Sequence, residues 1–586
     1  MVMKNSIGRL GMLAALLLGS TATVTAQGVP GDRAQPPQDR GAIVWDARAV
    51  EHLMNRAGFG ARTSEIEAGV AMGAAAFVDR LVSVRTEVEP FFYERIGPPN
   101  PAELKKLDPE ARRLAVREVR EKDRKQLLDY TSWWLDRMAD GRDPLLERMV
   151  LFWHGFFTTS FEDVRRSWIV IQQNQLVREK ALGSYADLLR AMSKDAALLT
   201  YLDNQVNRKG NPNENFAREL MELFSLGEGH YSEADVKDAA RALTGRGVNR
   251  EGAYEFHKRV HDDGEKTILG ESGRLDGGDL VRILLDQEAC PRHVAGRLLR
   301  YFEGVEPDPG RLDDYARFLR AHEYRMQPFL RRLFLDPAFY REEVVGARVQ
   351  GPVDYLVGIT RRLGVEVPSS VLGSGTTLLG QRLFWPPSVK GWEGGVSWIT
   401  TASIMQRGNL AGFMLGLVRV EDVLSEAETR EPPPRAEPAM DDGSMAGGMT
   451  DEPAGGDDSM KDERSRTAAG AARAKRASKG IGFAGSALYG LRRAESSGWT
   501  VTINLTARMR KSDARTDAEI ADRMLEDLLA IHAPEETRAL VRAFLARERG
   551  RLRVADGELL DVGAEAERVL RRLAHLIYSL PEAQLC

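Results

Sequence analysis

Apolar side chains that recur every three or four residues are the feature that most constrains the fold of this chain. The spacing is clear in Ala102 to Tyr130 and Leu145 to Phe157, and it returns in Asp517 to Ile531, Pro534 to Arg549 and Gly563 to Leu580. This period places the apolar side chains on one face of an α-helix. We therefore expect a mainly α-helical protein, a large multi-helix globular domain with a few short strands and long irregular loops.

Two segments depart from the helical pattern. Trp499 to Leu505 alternates apolar and polar side chains, which predicts one short strand. The stretch from Pro368 to Trp398 is rich in glycine, serine and proline and is expected to break the run of helices.

Composition excludes several classes of protein. Of the 586 residues, 43% are hydrophobic and 29% are charged, which is typical of a globular chain and not of a wholly disordered, collagenous or polytopic membrane protein. Lysine and arginine number 82 against 86 aspartates and glutamates, a net charge of -4. Because binding to nucleic-acid phosphates needs a basic excess, nucleic acid is not an expected partner.

The N-terminal residues predict an export signal. Lys4 and Arg9 supply positive charge, Leu10 to Gly19 is apolar, and small residues lead to a cleavage point after Ala26. The apolar run is too short for a membrane span, which needs about 20 residues. We expect residues 1–26 to be removed, residues 27–44 to form a disordered leader, and the protein to be periplasmic or secreted with no transmembrane span.

A break in composition from 426 to 480 divides the rest of the chain. Its first half is acidic, and the charges from Arg466 to Lys479 are all basic, so neither half has the apolar side chains for a core. We predict a main helical domain over 45–425, a disordered linker or insertion over 426–480, and a C-terminal helical region over 481–586 that packs on the main domain.

Sulfur-containing side chains suggest little chemistry. Cys290 and Cys586 predict one buried thiol and one loose terminal thiol instead of a disulfide framework. The linker carries four methionines, whose thioethers are soft ligands for Cu(I) in one interpretation and ordinary linker residues in the other. These are Met440, Met445, Met449 and Met460.

The first candidate site lies on the helix predicted at Leu145 to Phe157. Glu147 and His154 are seven residues apart, on one helix face, where a carboxylate can orient an imidazole for acid–base work. The alternative is a buried histidine that a neighbouring group satisfies.

The second candidate runs from Asp203 to the helix Phe216 to Phe224. Between them, Asp203 to Glu214 is twelve residues long, as a calcium loop is, but Arg208 stands where the turn glycine belongs, so an asparagine-rich capping loop is the alternative. Arg218 and Glu219 follow on the helix. Asp203, Glu214 and Glu219 are candidate metal ligands, and Arg218 is a candidate substrate-binding residue.

Two further segments complete the candidates. His261, Asp262 and Asp263 form a dense polar loop that suits a divalent ion or acid–base groups, whereas turn formation explains the same residues without chemistry. Trp385 and Trp392 lie on a proline- and glycine-rich loop, where they either offer flat faces to a sugar or peptide or fix the loop to the core.

Taken together, these segments resemble one family, the large exported bacterial proteins catalogued as domain of unknown function 1800. The resemblance extends from about Trp45 to the end of the chain. The residues that carry it are His52 to Gly60, Phe152 to His154, Asn213 to Leu220, His261 to Gly264, Pro386 to Trp392 and Leu580 to Leu585. Phe156 and Arg246 depart from it, because relatives often have histidine and tryptophan at these places.

The resemblance implies kinship without a reaction, and two functional hypotheses follow. In the first, the chain is a cell-envelope binding or assembly protein that acts with an exported, sulfatase-like partner, since genes for such proteins often adjoin those of relatives. In the second, it is a hydrolase that uses a divalent cation outside the cytoplasm, with His154, His261 and Asp262 as acid–base groups and Asp263 among the metal ligands. We expect the asparagine- and glutamate-rich helix and the His261 loop to line one polar cleft.

Overall fold

Helices begin where the sequence supplies a cap, as the helix Pro109–Asp140 illustrates. The Asp108 carboxylate accepts hydrogen bonds from the backbone N–H groups of Glu110 and Ala111, and the helix ends at Gly141 in the left-handed conformation.

The computed structural model describes residues 42–83, 90–423 and 490–586. Ile43–Cys586 forms one compact unit.

Most of the described chain is helical, which confirms the predicted fold class. The helices of the N-terminal half are α1 (Ala47–Ala57), α2 (Thr63–Met72), α3 (Ala74–Val82), α4 (Pro101–Lys106), α5 (Pro109–Asp140), α6 (Pro144–Phe156), α7 (Phe161–Val164), α8 (Ser167–Lys180), α9 (Tyr185–Met192), α10 (Ala196–Tyr201), α11 (Asn215–Met221) and α12 (Glu233–Ala242). Those that follow are α13 (Gly277–Asp286), α14 (Ala289–Glu303), α15 (Pro309–Ala321), α16 (Met326–Phe334), α17 (Pro352–Leu363), α18 (Ser369–Leu378), α19 (Thr401–Met414), α20 (Leu505–Lys511), α21 (Asp517–Leu528), α22 (Glu535–Leu552) and α23 (Ala564–Tyr578).

Two small antiparallel hairpins lie between α12 and α13. In the first, β1 (Arg246–Val248) pairs with β2 (Tyr254–Phe256), and in the second, β3 (Lys266–Ile268) pairs with β4 (Glu271–Gly273). The second hairpin is held by α12, whose Asp238 carboxylate accepts from the N–H of Thr267 at 2.7 Å. The loop between the hairpins carries the His261 segment.

The predicted strand at Trp499 to Leu505 is wrong. Residues 499–504 form no strand with any described residue, and α20 begins at Leu505. The alternation still has a physical meaning, because Trp499, Val501 and Ile503 pack partly buried against the core while the residues between them are exposed. An apolar residue at every second position therefore predicts which side of the segment is buried. It does not predict that the segment pairs with another strand.

The break in the helical pattern was expected to start at Pro368, but α18 occupies Ser369–Leu378. Its glycines are contact points with other helices. A β-carbon at Gly375 would lie 2.6 Å from Leu356 Cδ1 of α17, so the absence of a side chain allows the two helices to approach. The irregular part of the segment follows α18.

The C-terminal helices pack on the earlier ones. α23 contacts α19, and α21 contacts α17. At the end of the chain, the Gln350 N–H donates to the Gln584 carbonyl at 2.8 Å, and the Cys586 N–H donates to the Arg348 carbonyl at 2.9 Å. Both cysteines are free and buried, so the loose terminal thiol expected at Cys586 is a wrong prediction, since this last turn is packed into the protein.

Among the described residues, none of the helices combines the length and the apolar character needed to cross a bilayer. The predicted signal, the leader up to residue 41, and the predicted linker with its four methionines lie outside the described residues.

Candidate functional site

The segments singled out in the sequence meet at two separate places. The Pro386 to Trp392 loop packs on the end of α6 and reaches the helix that carries Glu219. The His261 loop packs instead on the Asp203 to Glu214 loop, where the Lys209 N–H donates to the Val260 carbonyl at 2.8 Å.

His154 is a buried neutral histidine. Its Nε2 accepts a hydrogen bond from the Phe384 N–H at 3.2 Å, and its ring lies edge-on to Trp134 at 5.3 Å between centroids. Burial, the larger cause, and the Arg178 charge together lower the pKa of His154 to about 3. Glu147, on the same helix face, instead receives hydrogen bonds from Trp134 at 2.9 Å and from Arg178 at 2.9 Å. The two groups form no acid–base pair, and the second interpretation, a satisfied buried histidine, describes the structure.

Trp385 and Trp392 are half-buried and pack against other side chains of the protein. The guanidinium carbon of Arg382 lies 3.6 Å from the ring centroid of Trp385, which is also edge-on to Phe161 at 5.2 Å. Trp392 lies 5.7 Å from the His154 ring. A β-carbon at Gly391 would come within 2.6 Å of the Gly155 carbonyl oxygen, so this glycine allows the loop to lie directly on the end of α6.

The helix that carries Glu219 changes geometry within its length. α11 ends at Met221 and continues as a π-helical turn, Glu222–Leu226, in which one extra residue is accommodated. Two backbone carbonyl groups near this turn accept hydrogen bonds from side chains. Ser225 Oγ donates to the Leu220 carbonyl at 2.6 Å, and His293 Nε2 donates to the Leu223 carbonyl at 3.0 Å.

At this turn four side chains form what we call the Glu219 cluster: Glu219, Glu222, Tyr231 and Lys390. The Tyr231 hydroxyl donates to the Glu222 carboxylate at 2.9 Å, and Lys390 Nζ lies 3.5 Å from the same carboxylate. Lys390 also pairs with Glu228 at 3.4 Å. Glu219 is half-buried, and within the described part of the chain its carboxyl has no hydrogen bond or ion pair. The cluster therefore contains one satisfied carboxylate and one without a partner.

Burial separates Glu219 from an ordinary surface carboxyl. The pKa of Glu219 is raised to about 7, mainly by burial and also by the Glu222 charge, whereas the charges of Lys390 and Arg218 act to lower it. The pKa of the Tyr231 hydroxyl is raised by burial and by its bond to Glu222. Near neutral pH, Glu219 can therefore take up or release a proton, and in its charged form it can bind a cation.

Arg218 pairs with carboxylates outside this cluster. Its guanidinium nitrogens lie 2.7 Å and 2.8 Å from the two Glu233 oxygens, and one lies 3.2 Å from Glu214. These pairs raise the pKa of Arg218, with the hydrogen bond to Glu233 as the main cause. Arg218 thus joins α11 to α12 through its ion pair with Glu233, and its pair with Glu214 lies at the start of α11.

The Asp203 to Glu214 loop is held by asparagine amides. Asn204 Nδ2 donates to the Arg246 carbonyl at 2.9 Å, Asn207 Nδ2 donates to the Ala240 carbonyl at 2.9 Å, and Asn207 Oδ1 accepts from the Asn213 N–H at 3.0 Å. Asp203 is exposed. These hydrogen bonds are those of an asparagine-rich capping loop, which was the alternative to a calcium loop.

The His261 loop is likewise tied to its neighbours. The buried His261 Nδ1 donates to the Thr244 carbonyl at 2.9 Å. Asp262 accepts from Arg241 Nε at 2.8 Å, and this bond is the main cause of the lowering of its pKa to about 2. Asp263 is exposed, and Lys266 donates to the Asp262 carbonyl at 2.6 Å.

These contacts do not bring the glutamate-rich helix and the His261 loop together in the one polar cleft that was expected. No hydrogen bond or ion pair joins Glu214 or Glu219 to the His261 loop in the described residues, and Asp262 is paired with Arg241 of α12. Across the described ranges, no three histidine, cysteine, aspartate or glutamate side chains are grouped so that they could hold a metal ion.

Sequence reasoning missed Lys390 and Tyr231 as site residues. Lys390 stands inside the Pro386 to Trp392 motif, and a cation there was the available signal for a partner carboxylate. Tyr231 offered no signal, because only the turn after the π-helical residues brings its hydroxyl to Glu222.

Fold and site together define a mainly α-helical protein with a carboxyl-containing cluster where two distant sequence motifs meet. The chain belongs to the family described as protein of unknown function (DUF1800), whose model matches residues 52–585. The resemblance seen in the sequence is thus confirmed over nearly the whole chain. Comparison with curated proteins and with solved structures found no match.

Proposed function

We propose that this chain is an extracytoplasmic binding protein of the cell envelope, and that it holds an exported partner at the Glu219 cluster. One observation carries the proposal: the half-buried Glu219 carboxyl lacks a partner in the described chain, while Glu222 beside it has two. Partly burying a carboxylate without a partner costs free energy, so a residue kept only for the fold is expected to be paired. We infer that the bound molecule supplies the missing partner.

The chemistry of the cluster favours a positively charged group on that partner. A lysine ammonium or an arginine guanidinium would pair with Glu219 and displace its proton. Lys390 already shows that an ammonium fits beside Glu222. The surface is open, because the Lys390 and Glu228 side chains are 62% and 77% exposed, which suits a protruding side chain of a protein better than an enclosed small substrate.

The remaining support comes from the sequence. The predicted export signal supports the proposal that the mature chain acts outside the cytoplasm. The resemblance to exported bacterial proteins with sulfatase-like neighbours suggests that the partner is an exported protein.

The test is calorimetric titration of the full chain with short peptides that carry lysine or arginine, and with uncharged peptides of the same length. Titrations at about pH 6 and about pH 8 lie on either side of the Glu219 pKa. We expect binding of the cationic peptides to be stronger at the higher pH and to weaken by about tenfold or more in Glu219→Gln.

Glu228→Gln is the matched control, since it makes the same charge change on an exposed neighbour and should alter affinity by less than about twofold. Both variants should melt like the wild type at the lower pH. Equal affinities for wild type and Glu219→Gln would refute the proposal. Binding of calcium, magnesium, manganese or zinc that is lost in both Glu219→Gln and Asp262→Asn would favour the metal-dependent hydrolase instead.

A further inference from the structure

A cavity of about 740 Å³ lies among seven helices, α1, α2, α3, α5, α6, α8 and α16. Its volume falls within the range of small-molecule sites, which is about 300–1,000 Å³. Of the described residues that line it, none belongs to the Glu219 cluster, so the cavity is a separate place on the molecule. Its apolar walls are formed by Met54, Phe77, Leu81, Trp133, Leu146 and Leu182.

The Trp133 side of the cavity is held in place by its neighbours. The Tyr130 ring stacks on Trp133 with 5.2 Å between centroids. The guanidinium carbons of Arg178 and Arg137 lie 4.9 Å and 5.3 Å from the centroid of the Trp133 ring. Glu147 fixes both arginines through ion pairs of 2.9 Å and 2.6 Å. This wall is therefore ordered before any molecule binds, which keeps the entropic cost of binding low.

One cation at the cavity has no counterion in the described chain. Arg80, near the end of α3, is exposed and makes no hydrogen bond or ion pair with another described residue. Its neighbour Asp79 pairs instead with Arg331 at 2.6 Å. The other charged side chains of the lining each have an ion-pair partner: Glu65, Arg142, Asp143, Arg178 and Glu179. Among the described residues, the cavity thus combines apolar walls with a single positive charge that is not neutralised.

The apolar surface lies inside the cavity and not on its rim. Phe77 and Leu182 at the walls are each 5% exposed. The exposed side chains of the lining are mostly polar, among them Ser64, Arg142 and Glu179. A surface that inserts into a bilayer carries exposed apolar and aromatic side chains instead. The arrangement therefore suits one dissolved molecule better than a membrane.

We propose that this cavity binds the anion of a free fatty acid, with its alkyl chain against the apolar walls and its carboxylate at Arg80. The Arg80 guanidinium donates hydrogen bonds to both carboxylate oxygens, which fixes the orientation of the ligand. Each methylene group of the chain leaves water for the apolar walls, so the affinity rises with chain length.

The experiment is calorimetric titration of the full chain with octanoate, decanoate and dodecanoate, each below the concentration at which it forms micelles, and with 1-decanol. We expect the affinity to rise by about tenfold for every two methylene groups added to the acid. Decanoate should bind about tenfold more tightly than 1-decanol, because the alcohol has no charge to pair with the guanidinium.

Two variants with matched controls locate the site. Arg80→Gln should weaken decanoate binding by about tenfold and leave 1-decanol unchanged, whereas Arg274→Gln, at another exposed arginine without a described ion pair, should change neither. Ala68 is exposed and lines the cavity, so Ala68→Trp should fill it and abolish the binding of every ligand. Its control is Ala75→Trp, because Ala75 is exposed and lies two residues before Phe77, on the other side of α3. Both tryptophan variants should melt like the wild type.

The proposal fails if none of the three acids binds, or if Ala68→Trp binds decanoate as the wild type does. It also fails if 1-decanol binds as tightly as decanoate and Arg80→Gln changes neither, since the cavity would then take a neutral apolar molecule. Sedimentation with phosphatidylglycerol vesicles tests the other source of an acyl chain, and we expect the protein to stay in the supernatant. Vesicle binding that Ala68→Trp abolishes, without binding of the free acids, would assign the cavity to a membrane lipid instead.

Discussion

His52 and His154 are buried as neutral rings. His52 Nε2 donates to the Phe339 carbonyl at 3.0 Å, and His154 accepts from the Phe384 N–H. Burial, the larger cause, and a nearby arginine together lower the pKa of each to about 3. A protonated imidazole in these places would lose its hydration and meet a like charge, so the folded protein keeps both rings uncharged.

This pKa shift makes stability depend on pH. Below about pH 6.5 each histidine binds a proton in the unfolded chain but stays neutral in the folded protein. The stability that the neutral histidines contribute is therefore fully present above that pH and is lost as the pH falls towards 3. We expect the difference in unfolding free energy between wild type and His154→Gln to shrink by about 2 kcal/mol between pH 7 and about pH 5. Gln is chosen because its side-chain oxygen can accept from the Phe384 N–H.

Equilibrium urea unfolding at several pH values measures this difference. The exposed His322→Gln controls for the substitution itself. A difference that stays constant with pH would mean that folded His154 binds a proton as readily as the unfolded chain does.

At the scale of elements, glycines decide how closely α18 packs. Gly373 and Gly375 lie two residues apart on this helix, but a β-carbon would be 3.6 Å from Leu135 at the first and 2.6 Å from Leu356 at the second. The first distance is an ordinary contact, whereas the second requires two helices to separate.

Substituting each glycine by alanine should give opposite results. Gly373→Ala is expected to leave stability unchanged or raise it by about 0.5–1 kcal/mol, because alanine favours the helix. Gly375→Ala is expected to lower it by about 1–3 kcal/mol, because the added methyl overpacks the contact with α17. Thermal unfolding of the two variants beside the wild type measures both effects. Equal stabilities would show that α17 and α18 adjust freely.

These glycines also show where sequence reasoning reached its limit. The C-terminal helices could be predicted, because their apolar spacing is local and strong: α21, α22 and α23 lie where the period placed them. α18 could not, because its glycines are explained only by helices distant in the sequence. Polar residues behaved in the same way. Asp262 and Arg218 were noticed, but their partners Arg241 and Glu233 are set by the packing of α12.

The same limit applies to the Glu219 cluster. Glu219 was a sequence candidate for metal binding, but its neighbours come from three segments that only the folded chain brings together. The sequence could mark the Glu219 carboxyl. It could not show that Glu222 has partners while Glu219 has none among the residues that the structure describes. That contrast is a property of the tertiary structure.

For the whole molecule, the central question is how the helices after residue 490 are held. Asn55 Nδ2 donates to the Ala530 carbonyl at 3.3 Å, and Arg508 Nη1 donates to the Arg362 carbonyl at 2.6 Å. The fully buried Arg407 donates to Gln584 Oε1 at 3.0 Å and to the Gln350 carbonyl at 2.7 Å. These contacts connect the described residues up to 423 with those from 490 onwards, and apolar side chains of both parts share one core.

We therefore expect the protein to survive a cut between these two parts. A protease site inserted within 426–480 should give two fragments that remain together on size-exclusion chromatography and melt in one transition, because the buried interface holds them without the covalent connection. Gln584→Ala should weaken this association by about 2 kcal/mol, because Arg407 then keeps a buried donor without its acceptor. Glu558→Ala, an exposed change on the same fragment, is the control. Fragments that separate without denaturant would show that the C-terminal helices are an independent domain whose contacts contribute little to stability.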